Sequence, residues 1–414
     1  MVEPWKLLEA LGKKMNSLNP NINKLAIKIM EEGPDLSTDK DIANVPKGQP
    51  TVEHKLETDD IVTVWGPPGT GKTYTMAKSA NSYIAQGKSV LIVSHSNVSV
   101  DGVIKQVVKM LGTDKQSVLE DGKILRFGYV RDDELSQNPY ATSFYYALSK
   151  CDSYASQLEH LMAKRDELRA KNQMKSKEYD EVEHKIKEIR GEIRKEERKY
   201  VERAQVIGTT ISRATIDPMF EKRQFDLVMF DEVSMAYVPQ VIAAAALAKE
   251  KFMCVGDFRQ LAPISQSPDS RVLQVDIFSY LQIVDGKGNM YWHPWLVMLN
   301  EQRRMAPAIS EFPSKFIYNR LLKDNAEVIN GKKKRDNDLV IKSAPLPGDA
   351  LNLIDLAGTY CAADKNTDGS RFNILSAVIS FSTAVKAEQN HIETVGIITP
   401  YAAQVRLIRA MLKD

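Results

Sequence analysis

The stretch VTVWGPPGTGKTYTMAKSA, Val62 to Ala80, decides the fold, because it reads as a short buried strand, a glycine-rich turn and a helix in succession. Within it, GPPGTGKT fits the P-loop pattern G-x-x-x-x-G-K-[ST]. Gly66, Gly69 and Gly71 let the backbone turn tightly enough for successive N–H groups to face one phosphate cluster, and a helix starting near Lys72 adds its positive end. Pro67, Pro68, Thr70 and Tyr74 are expected to fill out the nucleotide cradle. Lys72 is expected to set a point charge at the β- and γ-phosphates, and Thr73 a hydroxyl at Mg²⁺. Two glycines, a lysine and a Ser or Thr at these offsets arise by chance in roughly one chain per hundred of this length, and the flanking strand and helix lower that further.

Composition bounds the answer loosely. The 414 residues are 43% hydrophobic and 27% charged, enough for two or three cores. With a formal net charge of +2, any basic face for nucleic acid must be local. Cys151, Cys254 and Cys361 lie far apart without metal-ligand spacing and read as reduced thiols. There is no apolar run long enough to span a bilayer and no signal-peptide core at the N-terminus, so a cytoplasmic or nuclear chain with no membrane partner is expected.

Upstream of the P-loop, Trp5, Leu7, Leu8, Leu11 and Met15, and then Leu25 to Met30, pattern as two packing helices. The run from Glu31 to Pro50 reads as a loop. Gln49 sits in it, and its amide either reads an adenine edge with a donor and an acceptor together or is a solvated loop side chain. Downstream, SVLIVSHSNVSVD has the continuous apolar core of a parallel strand buried on both faces. The small polar residues at its end, including Ser96 and Asn97, either bind ligand at a strand carboxyl end or cap the next helix.

From about Tyr154 to Tyr200 the chain turns to dense mixed charge. Tyr179, Val182, Ile186, Ile189 and Ile193 repeat at steps of three and four, and Leu158, Leu161, Arg165 and Leu168 form a weaker seam. The chain must return to the sheet at Val206, which predicts an antiparallel helical hairpin over residues 152–203, turning near Asn172 to Lys177, with arms of roughly 30 Å. Its interleaved charges suit a solvated coiled-coil face or a nucleic-acid contact. AQVIGTTISRA then reads as a strand ending in Thr209 and Thr210. QFDLVMFDEVSM delivers Asp231 and Glu232 to a strand end, where an Asp holds the Mg²⁺ shell and a Glu orients the attacking water. KFMCVGDFRQLAPI is a further strand, and its Gln260 either senses the γ-phosphate or sits in a plain polar turn.

The ordered set GPPGTGKT, VLIVSHSNVSVD, VIGTTISRA, FDEVS, VGDFRQLAPI, LNEQRRMAPAISEFPSKFIYN and VGIITPYAAQ resembles superfamily 1 helicases of the up-frameshift and senataxin branch, from about Gln49 onward. The resemblance implies an adenine contact for Gln49 and backbone-phosphate contacts for Ser96, Asn97, Thr209 and Thr210. In LNEQRRMAP the family has Q-Y-R-M; here Arg303 replaces the tyrosine that lies on adenine, and a guanidinium can also stack on a base. Arg304 keeps the arginine that acts as a finger on the γ-phosphate. Thr399 and Tyr401 match nucleic-acid contacts, while the basic run Lys332 to Arg335 reads as a solvated loop, a phosphate patch or a nuclear address.

The expected fold class is α/β: an N-terminal helical segment (residues 1–48), a RecA-like P-loop NTPase lobe (49–291) with the hairpin insertion, and a partial second RecA-like lobe (292–414). The second lobe is expected to begin near Trp292 and to use strands at Leu296 to Leu299, Leu351 to Ile354 and Val395 to Thr399. The family continues past this point with a D-x-x-Q-G-x-E segment and an arginine-bearing motif, so a fragment of a longer protein, or one lacking part of the coupling machinery, is expected. The N-terminal region is expected to be too short for the β-barrel insertion that some members carry. The resemblance implies an ATP- and Mg²⁺-dependent translocase or helicase on single-stranded DNA or RNA, moving 5′ to 3′. A second reading is an ATP-binding switch that captures a protein partner through the hairpin.

Overall fold

The computed structural model describes residues 4–31, 45–112, 115–136, 138–265, 273–331, 338–343, 345–359, 361–392 and 394–412. Most of the loop expected before Pro50 and the basic run at Lys332 to Arg335 lie outside the described residues. The chain divides into two compact units, Met1–Asn300 and Glu301–Asp414.

The first unit is built on seven parallel strands: β1 Ile61–Trp65, β2 Val90–Ser94, β3 Ile124–Arg126, β4 Val206–Thr210, β5 Phe225–Asp231, β6 Ala248–Gly256 and β7 Leu296–Met298. Their order across the sheet is β3-β4-β2-β5-β6-β1-β7. Continuous apolar runs such as Val90–Ser94 are what a sheet covered on both faces requires, and every residue of β1 and β2 is buried. Side chains alternate between two cores. Val62, Val64, Ile92 and Val255 meet Met76, Ala80, Val100 and Ile104 of the helices Lys72–Ala85 and Asn97–Met110. Trp65, Phe230 and Phe252 face the other way and are fully buried.

Because all strands are parallel, their carboxyl ends gather on one edge, and each motif named from the sequence of this unit ends there. The helices Pro4–Asn16 and Lys24–Glu31 pack as expected, burying Leu11, Leu25 and Ile29. Lys14 Nζ donates to Ala214 O at 2.9 Å and Asn23 Nδ2 to Ala246 O at 2.9 Å, so these helices belong to the first unit.

The hairpin is present as two helices, Asp152–Ala170 and Lys177–Arg203. Asn172, at φ 52°, turns the chain between them. Val182, Ile186 and Ile193 are buried against Leu158 and Leu168, whereas Tyr179 and Ile189 are half-buried. Cross-arm ion pairs, Lys164–Glu178 at 2.7 Å and Arg169–Glu183 at 3.4 Å, lie on the solvated side, where such pairs add little.

Two expectations are corrected. Leu296–Met298 does form a strand, but it pairs with Thr63–Trp65 as the edge of the first sheet, so residues 292–300 do not open the second unit. An apolar run specifies a strand and not which free edge it completes; here β1 offered one. In the second unit, Leu351 to Ile354 and Val395 to Thr399 are not strands, and Leu353 and Ile398 are 92% and 97% exposed. A strand needs a neighbour for its N–H and C=O groups. The described strands of that unit are two-residue ladders, Glu301–Gln302 with Lys323–Asp324 and Asp364–Lys365 with Arg371–Phe372. Its longer helices are Pro307–Phe316, Ile374–Gln389 and Ala402–Met411. Among the described residues no helix is long and apolar enough to cross a membrane.

Ile193 is fully buried in the hairpin seam. Ile193→Ala is expected to cost about 2–4 kcal/mol there, seen as loss of amide-exchange protection across Asp152–Ala170 and Lys177–Arg203 while the sheet amides stay protected.

Candidate functional site

The P-loop folds as its glycines require. Gly69 and Gly71 sit at φ 79° and 88°, where L side chains are strained, and Gly71 is the N-cap of Lys72–Ala85. A Cβ on Gly66 would overlap the Lys72 stem, so glycine there lets the lysine fold back over the loop. Lys72 Nζ donates to Gly66 O at 2.9 Å and lies 3.8 Å from Glu232 Oε1. Thr70 Oγ1 donates to Pro67 O at 2.7 Å, which closes the turn through Pro68. Thr73 is half-buried in the first turn of the helix, and Tyr74 beside it is exposed.

β5 brings the acidic pair to the same edge. Asp231 is its last residue and is 4% exposed. Burial first, then the charge of Glu232, push the Asp231 carboxyl up to about 7, against the pull of Lys72. Glu232 adopts the left-handed conformation, φ 53° and ψ 41°, which costs a non-glycine residue about 1–2 kcal/mol and turns its carboxylate toward Lys72. Among the described residues there is no cluster of three or more His, Cys, Asp or Glu side chains able to hold a metal. Mg²⁺ needs only one or two protein ligands when a phosphate supplies the rest. A buried carboxylate with its pKa raised beside a second carboxylate, with Thr73 at the base of the loop, fits that requirement.

Gly66 N donates to Gly256 O at 2.9 Å, tying the loop to the end of β6. Asp257, fully buried just beyond, organises the turn after that strand. It accepts from Trp65 Nε1 at 3.0 Å, Arg259 N at 3.1 Å and Gln260 Nε2 at 2.7 Å. Gln260 is thus an exposed residue whose amide is held by Asp257, in the loop next to the P-loop strand. Trp65 and Asp257 were not singled out from sequence; an indole directly before a P-loop was the available signal. Gln49 spends both ends of its amide on the backbone of β7, Nε2 to Met298 O at 2.7 Å and Oε1 from Met298 N at 3.3 Å. It extends the sheet edge as a strand would, and an adenine contact requires those bonds to open.

The four residues expected at nucleic acid in the first unit divide. Ser96 caps Asn97–Met110, its hydroxyl accepting from Ser99 N at 3.0 Å, and Thr210 caps Ile211–Ile216, accepting from Arg213 N at 3.4 Å. Asn97 and Thr210 line one cavity. Thr209 does not join them: strand alternation turns it inward, it is fully buried, and its hydroxyl has no partner. The residue that shapes this edge is Arg126, fully buried at the end of β3. Its Nε meets Asp101 Oδ1 at 2.6 Å, and its other nitrogens reach Asn97 Oδ1, Phe127 O and Tyr129 O at 2.6–2.8 Å. An arginine inside the apolar strand ILRF was a legible sign of a buried partner.

In the second unit, Gln302 is fully buried and makes the turn that carries the two arginines. Its Oε1 accepts from Arg304 N at 2.9 Å and Met305 N at 2.7 Å, and its Nε2 donates to Met305 O at 2.9 Å. Arg303 and Arg304 are exposed, with Arg303 Nη2 3.3 Å from Glu301 Oε2. Tyr401 begins Ala402–Met411 and donates its N–H to Thr399 Oγ1 at 3.4 Å.

A parallel sheet with this loop after β1 and an acidic pair after β5 defines a P-loop NTPase. The AAA domain family matches residues 47–268, and a second AAA domain matches residues 289–414. The chain belongs to this family, within the superfamily 1 helicases of the up-frameshift and senataxin branch. It is 25% identical over 378 residues to the DNA polymerase alpha-associated DNA helicase A of Schizosaccharomyces pombe, covering 88% of this chain and 53% of that one. It is 27% identical to the Regulator of nonsense transcripts 1 homolog of Arabidopsis thaliana (83% of this chain, 25% of that one) and 23% identical to the Probable helicase senataxin of Homo sapiens (86% and 15%). The chain thus spans about half the length of the first of these relatives.

Asp231 supplies a pH test. Its folded pKa of about 7 lies above the ordinary 3.8, so the folded protein holds a proton that the unfolded chain has released, and stability falls as pH rises from about 4 to 7. Asp231→Asn is expected to be more stable than the parent at pH 8 by a few kcal/mol, and the difference is expected to vanish toward pH 4 in urea denaturation.

Proposed function

We propose that the chain is an ATP-hydrolysing motor that moves on single-stranded DNA or RNA. The observation that carries this is the meeting of Lys72, Asp231 and Glu232 at one sheet edge, with Lys72 Nζ 3.8 Å from Glu232 Oε1. The backbone of Gly66 to Gly71 and the Lys72 ammonium hold the nucleotide phosphates. Thr73 and Asp231 would hold Mg²⁺, which when bound neutralises charge on the β- and γ-phosphates. Glu232 orients the attacking water and accepts its proton; Gln260, positioned by Asp257, senses the γ-phosphate side. Arg304 is the proposed arginine finger, and Arg303 and Gln49 the proposed adenine contacts.

Strand contacts are proposed for Ser96, Asn97 and Thr210 in the first unit and for Thr399 and Tyr401 in the second. Support comes from the family membership and from the way Asn97 and Thr210 share a cavity. Backbone-tracking contacts of this kind serve DNA and RNA alike.

The reading is tested by ATPase turnover with and without single strands at low salt. Lys72→Ala is expected to abolish hydrolysis, and Glu232→Gln to slow it by about 10²–10⁴-fold with nucleotide binding retained. Turnover that no single strand stimulates would overturn the motor assignment, and retained turnover in Lys72→Ala would place the nucleotide elsewhere.

A further inference from the structure

The cavity lined by Asn97 and Thr210, about 580 Å³, also receives Tyr129, Arg198, Arg213 and Asp217. Arg198 comes from the hairpin helix Lys177–Arg203, so the insertion reaches the sheet edge at its root. Arg198 Nη2 lies 3.3 Å from Asp217 Oδ2, and Arg213 Nε 3.9 Å from the same oxygen. Asp217 thus faces two guanidinium groups, each with five N–H donors; Glu197 also acts on Arg213, and Arg194 adds a further positive charge beside it, so three arginines stand against two acids here. Arg213 is held in place by stacking, its guanidinium 4.0 Å from the centroid of Phe127.

Tyr129 is an aromatic side chain 69% exposed at this cavity, on a loop tied down by hydrogen bonds. Arg126 Nη2 grips its carbonyl at 2.8 Å, Arg131 N donates to Asp101 Oδ2 at 2.6 Å, and Gly128 takes φ 118° between them. An exposed ring on a pinned loop loses little freedom when something stacks on it. Paired guanidinium groups, a presented ring and nearby amide and hydroxyl groups match the repeating phosphate-and-base chemistry of a single strand.

We propose that this cavity grips the single strand, with Arg198 of the hairpin and Arg213 holding a backbone phosphate and Tyr129 stacking on a base. The inference rests on the strand-binding reading above and extends it, because it makes the hairpin root part of the nucleic-acid track.

The full chain is titrated with short fluorescein-labelled oligo-dT and oligo-U by anisotropy across a salt series, with a fluorescent ATP analogue titrated in parallel. Arg198→Ala and Arg213→Ala are each expected to weaken strand binding about tenfold and to lower the salt slope by about 0.7. Tyr129→Ala is expected to weaken binding about tenfold with the slope unchanged, and all three to keep the nucleotide affinity of the parent. Arg198→Lys keeps the charge and is expected to keep the slope. A parent that binds strands while Arg198→Ala and Tyr129→Ala bind them equally well, with the same slope, would overturn the inference. A parent that binds neither oligonucleotide would overturn the strand reading itself, and this inference with it.

Discussion

The backbone bond from Gly66 N to Gly256 O, 2.9 Å long, is the contact on which the nucleotide edge depends. It continues the β1–β6 ladder one step past the strands, so the P-loop leaves the sheet in register with the end of β6. Glycine relieves close contacts at both ends of this bond. A Cβ on Gly66 would overlap Lys72, and one on Gly256 would stand 3.0 Å from Ser234 N, where the turn after Glu232 crosses. The ends of β1 and β6 and the turn after β5 therefore lie close together. That approach brings a buried aspartate, a left-handed glutamate and a lysine together. The energetic cost is visible in the raised Asp231 pKa and the strained Glu232 backbone, and both are expected where cationic ligands and water must be held in place.

A second framework governs the other end of the sheet. The Arg126–Asp101 pair is fully buried, and such pairs persist when every remaining donor and acceptor is satisfied. Arg126 meets that condition by bonding Asn97 and the loop carbonyls of Phe127 and Tyr129. The same strand end holds the hairpin: Ser143 Oγ donates to Arg126 O at 3.0 Å and also meets Glu197 of the hairpin helix. Burial raises the Glu197 pKa, against the pull of the Ser143 hydrogen bond and of Arg213, Arg194 and Arg198. The hairpin root is thus joined through Ser143 and Arg126 to the loop that presents Tyr129.

Much of the nucleotide site was legible in sequence because its chemistry is local. Phosphate binding needs glycines, a lysine and a hydroxyl at fixed spacing along one turn, and Gly66 to Thr73 carry them. Asp231 and Glu232 were legible because an apolar strand ending in acids is also a contiguous signal, and the hairpin because its seam repeats along one helix. The contacts that sequence reading missed lie between segments. Trp65 with Asp257, Arg126 with Asp101, and Arg198 with Asp217 are pairs drawn from different elements.

The sequence by itself determined the P-loop NTPase class, the order of the motifs and the presence of a two-helix insertion, since each rests on residue type and short-range period. Only the tertiary structure decided that Leu296–Met298 completes the first sheet, that Thr209 turns inward while Thr210 faces a cavity, and that Gln49 bonds the backbone of β7. It also decided that the hairpin sets Arg198 beside Arg213. The reason is physical: strand pairing, burial and convergent charge depend on which distant segments become neighbours, and hydrophobic periodicity specifies a face without naming what covers it.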